Sequence, residues 1–342
     1  MNDHIVCGRV AVLVPCYNEE TAIMQVIKGF RAALPEATIY IYDNNSSDRT
    51  ADVARAAGVV VRREMHRGKG HVVRRMFADV EAEVYVLVDG DATYDPSSVR
   101  MMVDRLIAEN LDMVVGARAE RGDAVYRRGH RTGNRLLTGF VAVVFGGTFV
   151  DMLSGFRVFS RRFVKSFPIL STGFEIETEL TIHALELGLP VAEVPTPYYA
   201  RPKGSQSTLR TWRDGFRILW MIVMLYRSER PLAFFSAIGF FLAITSVSLA
   251  IPIFATYLEQ GIVPRLPTAV LSTGLMLLAF LCVASALVLD TVARGRREMK
   301  LLAYLAERAP SADQLTTKYA AGGDLSNLVE IDRPSGESWF KE

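Results

Sequence analysis

The sequence is poor in cysteine and histidine and carries almost no net charge. Three cysteines, Cys7, Cys16 and Cys282, stand far apart in 342 residues. They lack metal-ligand spacing, which excludes a disulfide framework or zinc ribbon and fits a reducing compartment. The five histidines, His4, His66, His71, His130 and His183, show no metalloprotease spacing and read as structural. Basic residues number 39 and acidic residues 37, so composition makes no case for nucleic-acid binding and any basic site must be local. No Gly-x-Ser-x-Gly elbow is present. Gly68-Lys69-Gly70 is not a P-loop, and Val73 stands where a dinucleotide fingerprint needs its third glycine. That segment reads either as a flexible loop entering a helix or as backbone facing a phosphate. The opening stretch has no basic region followed by a long apolar one, so no signal peptide is expected.

What is abundant is apolar sequence. Half of the residues are hydrophobic, enough for a sizeable core, which excludes a disordered chain. Two runs, 232–258 and 266–289, contain no charge, and each exceeds the roughly 20 residues a helix needs to cross a bilayer. The spacer holds Gly261 and Pro264 and is long enough only for a tight turn. A transmembrane hairpin is expected; the other reading is two buried core helices, which rarely stay uncharged on every face. Pro252 implies a kink that lipid tolerates. Arg227 and Arg230 precede the first run, Arg294, Arg296, Arg297 and Lys300 follow the second, and the turn carries only Arg265. Both flanks are therefore expected on the cytoplasmic side of an inner membrane.

The part before the hairpin alternates strand and helix patterns. Strands are expected at 9–15, 38–42, 59–62, 84–88 and 113–116, and helices at 19–34, from an N-cap at Ser47 or Asp48 to Gly58, at 69–82 and at 96–110. Such alternation predicts an α/β domain with a mostly parallel sheet and helices on both faces. Ligands then bind beyond the C-terminal strand ends. Polar clusters fall there: Tyr17-Asn18-Glu19, Asp43-Asn44-Asn45, Asp89-Gly90-Asp91 and Arg118. Asp89 and Asp91 flank a glycine after an apolar strand, an oxygen-only pair suited to Mg²⁺ or Mn²⁺ beside phosphate oxygens.

Val14-Pro15-Cys16-Tyr17-Asn18-Glu19-Glu20, Tyr42-Asp43-Asn44-Asn45-Ser46-Ser47-Asp48 and Asp89-Gly90-Asp91 together resemble the inverting family 2 glycosyltransferases of GT-A fold. Three later stretches resemble dolichol-phosphate mannose synthases and bacterial polyprenyl-phosphate glycosyltransferases. They are Asp151-Met152-Leu153-Ser154-Gly155-Phe156-Arg157, Gly173-Phe174-Glu175-Ile176-Glu177-Thr178-Glu179 and Arg201-Pro202-Lys203-Gly204-Ser205-Gln206-Ser207. The resemblance covers residues 9–230 and implies a GT-A, Rossmann-like domain. It implies that Pro15, Tyr17, Asn18, Glu19, Asp43 and Asn45 contact the nucleotide, and that Asp89, Gly90 and Asp91 lie at the metal and sugar diphosphate. It further implies that Arg118, Arg131, Arg201 and Lys203 neutralise donor diphosphate and acceptor phosphate, with Asp151 nearest the acceptor. Two positions depart from the family pattern: Asn44-Asn45 follows Asp43, and Thr93 stands where many members have Gln.

The implied reaction is inverting transfer from a nucleotide-sugar of the GDP-mannose or UDP-glucose class to an undecaprenyl-type polyprenyl phosphate. A divalent ion on Asp91 would neutralise the leaving diphosphate as a Lewis acid, with arginine forks adding contacts. The acceptor phosphate is mostly ionised near pH 7, so no strong base is required. Asp151 is read either as orienting that phosphate or as a turn hydrogen bond. Arg127, Arg128 and Arg131 are read either as a solvated helix start or as a phosphate funnel. Residues 208–226 carry Trp212, Phe216, Leu219, Val223 and Tyr226 at helical spacing and suit an interfacial amphipathic helix in contact with membrane lipid. The expected division is 1–207 catalytic, 208–230 juxtamembrane, 231–258 and 265–292 transmembrane, and 293–342 a partly disordered cytoplasmic tail. Two alternatives stay open. A glycan-extending family 2 transferase normally shows Gln-x-x-Arg-Trp and more spans, neither present here; the other is a non-catalytic anchor that binds nucleotide-sugars. Homo-oligomerisation is left open.

Overall fold

The computed structural model describes residues 10–120, 139, 149–173, 175–202, 219–220, 223–224 and 226–308. Among these residues, seven strands form one sheet: β1 (Val10–Cys16), β2 (Thr38–Asp43), β3 (Val60–Arg63), β4 (Val84–Leu87), β5 (Met113–Glu120), β6 (Arg157–Ser160) and β7 (Val191–Tyr198). Their order is β3-β2-β1-β4-β6-β5-β7. Only β6 runs antiparallel, between β4 and β5. The helices are α1 (Ile23–Ala33), α2 (Thr50–Ala56), α3 (Lys69–Asp79), α4 (Val99–Ala108), α5 (Arg161–Ser166), α6 (Ile176–Leu187), α7 (Pro231–Gln260) and α8 (Leu266–Ala306). The expected mostly parallel α/β sheet is what forms.

Strand alternation divides the core into two layers. Val10, Val12, Val14, Ile39, Ile41, Val84 and Val86 face one way, against Ile23, Ile27 and Phe30 of α1 and Met102, Val103 and Leu106 of α4. Ala11, Leu13, Tyr40, Tyr42, Tyr85 and Leu87 face the other way, against Val72, Val73 and Met76 of α3 and Phe163 of α5. Each large apolar side chain so buried contributes about 1.5–3 kcal/mol. β1 lies at the switch point, paired with β2 on one side and β4 on the other.

Several boundaries differ from the sequence expectation. The first helix starts at Ile23 rather than residue 19, because the Glu19 and Glu20 N–H groups donate to Thr50 Oγ1 and Asp48 Oδ2 at 2.9 and 3.1 Å. The next helix starts at Thr50 with Arg49 at its N-cap, since Asp48 bridges two loops instead of capping. Pro96 opens a 3-10 turn, Pro96–Ser98, before α4. β5 runs to Glu120 because β7 pairs along its whole length, which places Arg118 within the strand rather than at its end. The elements β6, α5, α6 and β7 were not anticipated.

α7 and α8 are long and apolar enough to cross a membrane. They are not buried core helices: Phe240, Phe241, Phe254, Phe280 and Leu281 are exposed. They pack on each other through small residues, with Ser272, Ala279, Ala286 and Ala293 buried at heptad spacing. Ser246 and Ser272 each donate a hydroxyl to the other's carbonyl, at 2.8 and 2.9 Å. The second helix does not stop with the apolar run but continues to Ala306, through the start of the segment expected as tail. Arg127, Arg128, Arg131, Lys203, most of the expected helix at 208–226 and the tail beyond residue 308 lie outside the described residues.

Candidate active site

Parallel pairing of Cys16 with Asp43 makes the loops after β1 and β2 leave the sheet side by side, and they interlock. Asn18 adopts a left-handed φ of 56°. Its N–H donates to Ser46 Oγ at 2.9 Å, and its Oδ1 accepts from Ser47 N at 2.8 Å. Pro15 is half-buried near the end of β1, and the Arg67 guanidinium lies 5.5 Å from the centre of the Tyr17 ring. Asp43 is buried and accepts from Ser46 N at 3.2 Å, with Arg63 Nε 3.8 Å away. Asn45, with φ 64°, accepts from Arg63 Nη2. Asn44 ties this rim to the loop before α3: Gly68 N donates to its Oδ1 at 2.7 Å, and its Nδ2 donates to His66 O at 2.7 Å.

The loop after β4 carries the acidic pair. A Cβ on Gly90 would lie 2.7 Å from Cys16 Sγ, so only glycine lets the two loops touch. Asp89 pairs with Lys69, and Lys69 pairs also with Glu177 of α6. Burial works against the Lys69 ammonium, but the two carboxylates outweigh it and raise its pKa. Burial pushes Glu177 up, and among the described residues its Oε2 has no hydrogen-bond partner. A Cβ on Gly155 would sit 2.3 Å from Asp89 Oδ2, so the loop before β6 closes directly on this carboxylate.

Asp91 is nearly fully buried, and Thr93 donates to its Oδ1 through Oγ1 at 2.6 Å and N at 3.2 Å. Thr93, a departure from the family pattern, thus orients Asp91. Its other oxygen faces a cation: Arg201 Nη2 is 2.6 Å from Oδ2, while Arg201 Nη1 is 3.4 Å from Glu19 Oε1. Burial first, then the neighbouring Asp89, raises the Asp91 pKa. Among the described residues, no three His, Cys, Asp or Glu side chains are grouped for a metal. Asp91 is nonetheless a hard oxygen donor in a position that already accommodates positive charge.

Arg118 grips Asp151 with two bonds, Nε to Oδ2 at 2.6 Å and Nη2 to Oδ1 at 2.7 Å, and its own N–H adds a third at 3.2 Å. Glu193 accepts the Asp151 N–H at 3.0 Å. Arg157 of the same stretch is fully buried and donates to the Ser154 and Met152 carbonyls at 2.9 and 2.5 Å and to Thr181 Oγ1 at 3.0 Å. Burial pulls its guanidinium down to about 10. It clasps the loop that presents Asp151 and Gly155. The structure thus brings together Pro15, Tyr17, Asn18, Glu19, Asp43, Asn45, Asp89, Gly90, Asp91 and Arg201 on one rim, with Arg118 and Asp151 paired beside it. Sequence reasoning missed Lys69, Glu177 as its partner, and Arg157 as a clasp. The glycines flanking Lys69 were the one available signal.

Residues 11–167 match Glycosyl transferase family 2. Glycosyltransferase AglJ of Haloferax volcanii is 33% identical over 269 residues, covering 78% of this chain and 88% of that protein. A dolichyl-phosphate hexose transferase of the same organism is 29% identical over 221 residues, covering 64% of this chain and 95% of that protein. Among solved structures, glucosyl-3-phosphoglycerate synthase of Mycobacterium tuberculosis, in complex with Mn²⁺, UDP-glucose and phosphoglyceric acid, superposes with a TM-score of 0.53. It is 22% identical and covers 64% of this chain and 80% of that one, a likeness of fold.

Proposed function

The chain belongs to glycosyl transferase family 2, and from that premise we propose inverting transfer of a sugar from a nucleotide-sugar to a polyprenyl monophosphate at the cytoplasmic face of a membrane. The observation that carries this reading is the meeting of Asp91, Glu19 and Arg201 on one rim of a chain that also bears two long apolar helices. The likeness to a dolichyl-phosphate hexose transferase supports a lipid-phosphate acceptor. The donor is of the GDP-mannose or UDP-glucose class.

Pro15, Tyr17, Asn18, Asp43 and Asn45 hold base and ribose, their loops set in advance by the Ser46 and Ser47 bonds. Mg²⁺ or Mn²⁺, held by Asp91 and flanked by Asp89, would supply Lewis-acid neutralisation of the leaving diphosphate. Glu19 and Asp91 keep Arg201 poised at the rim, from where its fork reaches diphosphate oxygens. Lys203 and Arg131 add positive charge for the two phosphates. Asp151 holds Arg118 for the acceptor phosphate, whose oxygen is itself the nucleophile and attacks the anomeric carbon opposite the leaving group. The basic flanks of the hairpin support a catalytic domain on the cytoplasmic side, and the helical apolar spacing in 208–226 supports an interfacial segment. Proton NMR of the extracted product tests the displacement: the account expects a β-linked lipid-phosphate sugar from an α-linked donor, and a retained α linkage overturns it.

A further inference from the structure

The charge-free run of α8 ends at residue 289, yet the helix continues to Ala306. The extra turns reach about 25 Å beyond that point at 1.5 Å per residue. They dock through polar contacts, the tightest of them to Glu186 and Asp112 of the catalytic domain. Lys300 Nζ lies 2.7 Å from Glu186 Oε2 and 3.7 Å from Glu229 Oε1. Arg297 Nε is 3.6 Å from Glu186 Oε1. Tyr304 donates to Asp112 Oδ2 at 2.7 Å, and the Arg162 guanidinium lies 4.9 Å from the centre of its ring. Arg161 Nε reaches Glu307 Oε2 at 2.9 Å. Asp112 and Glu186 are almost wholly shielded, so the Tyr304 and Lys300 contacts to them are not loose surface pairs of small value.

These contacts share one place. Asp112 immediately precedes β5, Arg161 and Arg162 follow the antiparallel β6, and Glu186 closes α6. All lie at the sheet edge opposite the rim that carries Asp91. The eight residues of β5 separate the two edges by about 25 Å. A tilt of about 10° at the docked edge would then swing the rim by about 4 Å, more than the 3–3.5 Å approach that displacement needs. α6, about 18 Å long at 1.5 Å per residue, runs along most of that gap: Glu177 near its start pairs with Lys69 behind Asp89, and Glu186 near its end is gripped by Lys300.

We propose that residues 291–307 form a strut that fixes the tilt of the catalytic domain against the bilayer, with Lys300 and Tyr304 as positioning residues for attack by a membrane-held acceptor. This rests on the lipid-phosphate reading of the acceptor. A mobile tether would tolerate loss of these contacts; a strut does not, and the loss is confined to acceptors whose depth the bilayer sets.

The test uses the full chain in vesicles, with Lys300→Ala, Tyr304→Ala and Lys300→Arg. For long-chain polyprenyl phosphate, the two alanine variants should raise KM by about tenfold or more, and Lys300→Arg should remain near the unaltered enzyme. For a short water-soluble prenyl phosphate, kcat/KM should change less than about twofold. Equal loss with both acceptors, or no loss with either, overturns the strut. Hydrogen exchange on the same vesicles decides the matter without any acceptor: residues 296–306 should be protected in the unaltered chain and open in Tyr304→Ala. Unchanged protection in that variant overturns the proposal. An enzyme that uses neither acceptor refutes the acceptor reading alone, and the exchange measurement still judges the strut.

Discussion

Arg201 Nη2 stands 2.6 Å from Asp91 Oδ2, so a guanidinium from beyond β7 already sits on the carboxylate proposed to hold the metal. On the proposed metal reading, Arg201 and a divalent ion would share one anionic partner. Arg201→Ala is expected to lower kcat by about 100-fold, the scale of losing one preorganised transition-state contact. Vesicle association should stay intact, because the hairpin supplies it. In donor-free protein the same variant should bind Mn²⁺ at least as tightly, read by electron paramagnetic resonance. Near-normal turnover with weakened binding to anionic vesicles would assign Arg201 to the membrane surface instead.

Lys69 neutralises two carboxylates in a nearly closed site. Lys69→Ala should destabilise the domain by about 3–5 kcal/mol, the usual result of orphaning buried charge. Lys69→Met with Glu177→Gln should recover much of that stability but not the activity, since Asp89 stays unanchored. Thermal unfolding beside a transfer assay checks both. Recovery of activity in the double variant would show that the bridge serves stability alone.

Gly155→Ala should fold yet lose activity by about tenfold or more, because its Cβ would displace the Asp89 carboxylate at 2.3 Å. Circular dichroism and kcat on the same preparation separate the effects. Full activity would mean that Asp89 need not hold its position.

His183 is buried between Phe163 and Phe167 with Lys300 and Glu186 nearby, and burial, then Lys300, pulls its pKa from 6.5 to about 3. Between those values the unfolded chain takes up a proton that the folded chain refuses. Its contribution is therefore neutral above pH 6.5 and costs stability as pH falls toward 3, by about 1.4 kcal/mol per pH unit. His183→Gln should flatten this part of the acid-unfolding curve. Parallel curves for the two proteins would contradict the assignment.

The rim was legible because strand-end clusters are local: Tyr17, Asp43 and Asp89 each follow an apolar run within a few residues. The hairpin was legible from uncharged length alone. Lys69 with Glu177 was not, since 108 residues separate them and either charge alone suits a solvated surface. β6 was hidden because a four-residue strand flanked by arginines has too little pattern, and Arg157 at its start is buried through carbonyl contacts that no spacing announces. The strut was hidden because its sequence turns polar where the helix leaves the apolar run, although helix α8 itself does not end there.

One assay tests transfer to a lipid phosphate most directly. Membranes containing the full chain would be incubated with radiolabelled GDP- and UDP-sugars, one at a time, with undecaprenyl phosphate and Mg²⁺ or Mn²⁺, then extracted with organic solvent. The expected result is one donor whose label enters the organic phase as a lipid monophosphate sugar, with transfer lost in excess chelator and in Asp91→Asn. No organic-phase label from any donor, or full transfer in the Asp91→Asn variant, would contradict it.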